Sequence, residues 1–245
     1  MPSKPFFLRY ARAVASLPDH LKPVPVRRER LPREVMAEHQ RARALEAVID
    51  LLAKQGYPAT TVDDLVAAAR IGVGSFYSHF GGKEECLIAA YDLIVGEAEA
   101  TISRVMDQGS SWVDRVCLGV RSLLAWAAAE PSRGRIALVE IQTGGPEAMA
   151  HYLRNLDAAA GLLRTGRKVM RPARSLPDSL EQTIVSGIAW LLHRHLVTGE
   201  ESSMPSLFDE LTELILEPYF GQEGAKEEIA KSRLATNAWA GPQTL

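Results

Sequence analysis

Leu45, Val48, Ile49 and Leu52 recur at i, i+3, i+4 and i+7, the spacing of one buried helical stripe. Leu31-Pro32 stands ahead of it, with proline suited to a first helical turn, and Gly56 stops it as a C-terminal cap. Thr61 occupies an N-cap position before Asp63 and Asp64, carboxylates that favour the positive end of a helix dipole. Val62, Leu65, Val66 and Ala69 then form the inner face of a short second helix. Arg70-Ile71-Gly72 predicts a tight turn, and a third short helix runs from about Val73 to His79, ended by Gly81-Gly82. Short helices joined by such a turn are the layout of a helix-turn-helix unit.

Beyond Lys83 the pattern is helical and longer. Leu87, Tyr91, Ile94, Ala98, Thr101 and Val105 alternate spacings of four and three, one seam of a helix. Gln108-Gly109-Ser110-Ser111 breaks it. Trp112, Val116, Gly119, Leu123 and Trp126 mark the next helix, which Pro131 stops. Further helices are expected around Ser132–Ile141, Glu147–Lys168, 180–198 and 204–218, and residues 222–245 read as a polar tail with some helical propensity. No useful strand alternation appears, so the expected fold is all-α. The expected organisation is an arm over 1–30, a helix-turn-helix domain over 31–83, a body over 84–221 and the tail.

Charge sharpens this division. Residues 1–83 carry a net +5 and residues 84–245 a net −7, which suggests an anion-binding head on a body with another task. The first 30 residues hold five prolines and a basic bias that includes Arg27, Arg28 and Arg30. They lack the apolar content to pack as a domain and are expected to form a flexible basic arm.

Composition mostly excludes. With 245 residues and 47% apolar content, the chain can bury a core without metals or disulfides. Cys86 and Cys117 lie inside apolar helical patterns, outside any CxxC or Cys/His cluster, so neither a disulfide framework nor a metal site is expected. No apolar run approaches the ~18 residues of a membrane span. Arg9 and Arg12 interrupt the only candidate signal sequence, and the expected location is the cytoplasm. An enzyme is not expected, and neither is a cofactor. No G-x-S-x-G appears, and Gly82-Lys83 lacks the remaining glycine and hydroxyl of a phosphate-binding loop. His193 and His195 are two apart on a helix and point in different directions, a poor chelating pair; Glu140 and His151 are the other candidates for chemistry.

The informative chemistry lies between Thr60 and Glu84. A helix entering the DNA major groove needs small residues at its tip, donors beside them for phosphates, and apolar anchors behind. Val73, Gly74 and Ser75 form the small tip; Tyr77, His79 and Lys83 are donors; Phe76 and Phe80, at i and i+4, are the anchors.

Gly-Ser-Phe-Tyr-Ser-His-Phe-Gly-Gly-Lys-Glu, preceded by Thr-Thr-Val, resembles the helix-turn-helix signature of the TetR family of bacterial transcriptional regulators. The motif resemblance covers about residues 38–91; beyond it only length, helix number and all-α character agree. It implies three helices forming a DNA-binding head and about six forming a body that binds a ligand and dimerises. It also implies that Thr61 contacts a phosphate, that Val73, Gly74 and Ser75 face base edges, and that Tyr77, His79 and Lys83 hold the DNA backbone. Two departures stand out: Arg70 where members usually carry glycine, and Gly72 where they often carry serine. Gly72 offers no N-cap oxygen, so readout is expected to lean on Ser75, Ser78, DNA shape and the arm.

The expected function is a homodimeric, sequence-specific DNA-binding regulator: a repressor on a palindromic operator, released by a small apolar or aromatic effector. The alternative is a helical interaction protein whose degenerate head no longer binds DNA. Trp112, Trp126, Tyr152 and Trp190 are the candidate pocket residues, and the last two core helices, with Leu191 and Leu211 on their stripes, are the expected dimer contact.

Overall fold

The computed structural model describes residues 33–169 and 175–239, and every regular element among them is helical. Arg27, Arg28 and Arg30 of the expected arm lie outside the described residues. The chain divides into two compact units between Ala90 and Tyr91.

The first unit holds α1 (Arg33–Gln55), α2 (Val62–Ala69), α3 (Val73–His79) and the opening turns of α4 (Lys83–Met106). Helix α1 packs on α2. The α1 stripe Ala44, Leu45, Val48, Ile49 and Leu52 is buried, as are Leu65, Ala69, Phe76 and Phe80. Cys86, Leu87 and Ala90 at the start of α4 are buried too, which carries this unit past the expected boundary at 83. Burial pushes the Cys86 thiol up to about 12, so it is protonated and unreactive.

Local signals set the ends of these helices. Thr61 and Asp64 form a reciprocal capping box at the start of α2. The Asp64 N–H donates to the Thr61 hydroxyl (3.2 Å), while the Asp64 carboxylate accepts the Thr61 N–H (2.8 Å) and hydroxyl (2.6 Å). Those bonds, the hydroxyl's first, hold the Asp64 carboxyl below its ordinary range. At the other end Arg70 is left-handed, with φ 53° and ψ 46°. Its N–H donates to the Ala67 carbonyl (3.2 Å) and the Ile71 N–H to that of Val66 (3.3 Å), closing a Schellman motif.

The second unit holds the remainder of α4 and then α5 (Trp112–Ala129), α6 (Pro131–Leu138), α7 (Pro146–Arg164), α8 (Leu180–Thr198), α9 (Phe208–Phe220) and α10 (Gln222–Trp239). Short 3₁₀ segments follow α6 (Glu140–Thr143), α7 (Thr165–Lys168) and α8 (Glu201–Leu207). Pro131 and Pro146 each open a helix, because proline at the first position loses only an N–H that would have no helical partner. Helix α5 starts with a second capping box, Ser111 with Asp114.

The seam expected on α4 is buried at Leu87, Tyr91, Ile94 and Ala98, but Thr101 is exposed and Val105 only half-buried. The main core of this unit joins Trp112, Val116, Val120 and Leu124 of α5 to Ile184, Ile188 and Leu192 of α8 and Leu211, Ile215 and Tyr219 of α9. The polar tail expected from 222 is instead a helix packed on α5 and α9. Ala225, Ile229 and Ser232, at i, i+4 and i+7, are its buried face, a stripe too sparse in apolar residues to stand out in sequence.

A buried carboxylate, Glu181, borders this core. Glu181 is fully buried and accepts two bonds from Arg167 (2.7 and 2.9 Å) and one from the Tyr219 hydroxyl (2.9 Å). The Arg167 guanidinium holds the Glu181 carboxyl down at about 2, against the opposing effect of burial.

Candidate nucleic-acid interface

Helix α3 begins at Val73 although Gly72, its N-cap, supplies no side-chain bond. The Phe76 N–H reaches the Gly72 carbonyl (3.0 Å), which is enough to close the first turn. Phe76 and Phe80 are buried with ring centroids 5.4 Å apart and anchor the inner side. Val73, Gly74, Tyr77 and Ser78, at i, i+1, i+4 and i+5, form one exposed face; Ser75 and His79 are half-buried at its margins. Tyr77 is 54% exposed, its ring edge-on to Phe76 at 5.4 Å, so packing sets its direction and leaves its hydroxyl end outward. The Ser78 hydroxyl donates to the Ser75 carbonyl (2.7 Å). A Cβ built on Gly74 meets nothing within 4 Å, so the protein interior does not require glycine there.

Two of the expected phosphate-binding groups have internal partners. The Thr61 hydroxyl and N–H belong to the capping box. The Lys83 ammonium donates to the carbonyls of Tyr57 (2.9 Å) and Thr60 (2.8 Å) and lies over the Tyr57 ring. Lys83 therefore clips the start of α4 to the α1–α2 connector, leaving one of its three N–H groups for another acceptor. Composition and spacing hid this role, because the carbonyls it caps are 23 and 26 residues away.

Arg43 is an interaction the sequence reading missed. Its guanidinium donates to the Ala69 carbonyl (3.3 Å) and caps the C-terminal end of α2. Arg41 lies over the Phe80 ring, 5.6 Å from its centroid. Two arginines on α1 thus brace the turn and the inner side of α3.

The family profile described as "Bacterial regulatory proteins, tetR family" matches residues 44–90, from the second half of α1 through α2 and α3 to the opening turns of α4. Residues 44–90 therefore carry the helix-turn-helix region of TetR-family regulators. It is 24% identical over 213 residues to the HTH-type transcriptional regulator HbdR of Aromatoleum sp. (strain CIB), covering 80% of this chain and 87% of that protein. Its fold is similar to that of the fatty acid degradation regulator FadR from Bacillus halodurans: 17% identity, TM-score 0.62, 71% of this chain and 96% of that one. It is also similar to FadR from Bacillus subtilis, solved in complex with stearoyl-CoA: 15% identity, TM-score 0.62, 73% of this chain and 97% of that one.

The second unit lies outside the matched residues, and there the four aromatics expected to line a pocket part company. Trp112 is core: its ring packs on Tyr219 at 4.9 Å and Phe220 at 6.3 Å. A Cβ on Gly166 would lie 2.2 Å from that ring, so only glycine permits the approach. Trp126 is half-buried against the same core. Tyr152 is buried on α7, and burial raises its hydroxyl above its ordinary range. Its neighbour Tyr91 accepts a bond from the Asn155 amide (2.8 Å).

Trp190 points outward, 63% exposed on α8, and lines no interior site of a single chain. Thr183, Gly187 and Arg194 share its exposed stripe, as does Val197, and Leu214 of α9 is exposed as well. Leu211 is the opposite case: expected at a dimer contact, it is 2% exposed in the core of its own chain.

The histidines have structural partners. His195 is buried with Nδ1 2.9 Å from the Leu191 carbonyl, and His193 Nδ1 lies 2.8 Å from that of Leu138. His151 Nδ1 pairs with Asp92 at 3.0 Å, and Glu140 pairs with Arg135 at 3.3 Å. Among the described residues no group of three metal-ligating side chains occurs, and no helix is long and apolar enough to cross a membrane.

Proposed function

We propose that the protein is a homodimeric repressor that reads a two-fold symmetric operator through two heads and leaves it when a small apolar or aromatic effector occupies the body. The observation that carries this reading is the exposed face of α3, with small residues at its tip and the Tyr77 hydroxyl one turn on. In this reading Val73, Gly74 and Ser75 approach base edges with Ser78 beside them, and Tyr77 and His79 grip the flanking phosphates. Thr61 and Lys83 position the helix first and contact DNA second. The arm with Arg27, Arg28 and Arg30 adds phosphate or minor-groove contacts by its charge.

The dimer is supported by the exposed Trp190, Val197 and Leu214, large apolar groups on helices that already bury their other face. The effector reading is supported by the stearoyl-CoA complex of the Bacillus subtilis protein, which makes long-chain acyl thioesters the first compounds to test beside small aromatic ones.

Selection of duplexes from a randomised pool by the full-length protein tests the core of the proposal. A consensus with two-fold symmetry is expected. A single unsymmetric half-site would overturn the dimeric reading, and failure to enrich any sequence would overturn the operator reading. Candidate effectors are scored by intrinsic tryptophan fluorescence and, separately, by release of the selected duplex. A compound that binds without release is no inducer.

A further inference from the structure

The chain places glycine at four of its five positive-φ positions among the described residues: Gly56, Gly145, Gly199 and Gly221. The fifth is Arg70, at φ 53°. A side chain in the left-handed region crowds its own carbonyl, and glycine would occupy the position without that cost. The Schellman bonds that demand this conformation come from backbone N–H groups, so they explain the dihedral angles and not the arginine. The usual reason for a cation at a helix C-terminus is the dipole, but Arg43 already donates to the Ala69 carbonyl there.

Arg70 is exposed, and among the described residues its guanidinium has no hydrogen-bond or ion-pair partner. It stands three residues before Val73, so the two Cα atoms are at most about 11 Å apart. The exposed face of α3 beyond it carries no permanently charged side chain: Val73, Gly74, Tyr77 and Ser78. A strained, unpartnered cation thus sits beside a surface that lacks one.

We propose that Arg70 is a DNA contact of this protein: its guanidinium binds a backbone phosphate bordering the groove that α3 enters, in place of glycine at this turn. The inference rests on the DNA-binding reading of the head. The strain is retained because the side chain acts outside the fold, on a polyanion whose phosphates match the guanidinium fork.

Arg70→Gly and Arg70→Asn test it in the full-length chain, since both residues tolerate the left-handed region and neither carries charge. The probe is the duplex that the wild-type protein selects from a randomised pool, titrated at several salt concentrations. Both variants should melt at or above the wild-type temperature. Both should bind more weakly, by about ten-fold for two heads, and the log–log salt slope should fall by about 0.9 per head. Wild-type affinity and slope in both variants would overturn the contact while leaving the DNA-binding reading intact. If the wild-type protein binds neither a selected nor a random duplex, both readings fall together.

Discussion

The Lys83 ammonium donates to the Tyr57 carbonyl at 2.9 Å and lies 4.0 Å from the centre of the same residue's ring. With the Thr60 carbonyl at 2.8 Å, it fixes three contacts across the connector that precedes α2. Lys83→Ala should therefore destabilise the head by about 2 kcal/mol, the scale of charge-assisted hydrogen bonds. Denaturant titration of the full-length chain checks this without DNA. Unchanged stability with lost DNA affinity would make Lys83 a phosphate contact alone.

Gly74→Ala separates folding from recognition. The added methyl meets nothing within 4 Å, and alanine favours a helix interior over glycine by about 0.5–1 kcal/mol. The variant should melt higher than wild type. It should also bind the selected duplex more weakly, because the proposed docking puts the added Cβ against base edges. Equal affinity in a fluorescence titration would move the base-reading face away from Gly74.

The outer face of α8 and the inner face of α9 should respond differently to charge. Trp190→Glu is expected to yield a folded monomer, since Trp190 is 63% exposed and its loss leaves no cavity in its own chain. Leu211→Glu should unfold the second unit, because Leu211 is buried with Ile215 and Leu216. Sedimentation distinguishes monomer from dimer, and circular dichroism distinguishes folded from unfolded. A stable Trp190→Glu dimer would place the interface elsewhere.

Acid should loosen the second unit through Glu181. Its folded-state value of about 2 lies below that of an unfolded glutamate, so ionisation favours the fold. That contribution is complete above the ordinary glutamate range, near pH 4.3, and is lost as pH falls toward 2. Glu181→Gln should therefore cost most stability near neutrality and least at low pH. Tyr219→Phe, which removes one of the three bonds, should cost about 1 kcal/mol at neutral pH. A pH-independent difference between wild type and Glu181→Gln would show that the carboxylate charge contributes nothing.

What the sequence by itself determined lies within a turn or two of each residue. Caps, helix periodicity and left-handed glycines are interactions between positions up to about five apart, so Thr61, Gly56, Gly199 and the Phe76–Phe80 pair could be read from spacing alone. The short helix from Val73 to His79 was legible for the same reason, and Phe76 and Phe80 are its buried anchors. Tertiary structure alone decided which neighbour each remaining group meets. Lys83 looked like a free donor until the fold brought two carbonyls to it, and Glu181 is buried by Arg167 and Tyr219, partners 14 and 38 residues away that spacing does not connect to it. Trp112 and Trp190 are the same residue type in apolar helices, yet one lies against Gly166 in the core and the other faces outward. Helical periodicity states which residues share a face; it does not state what packs against that face, which depends on segments distant in the chain.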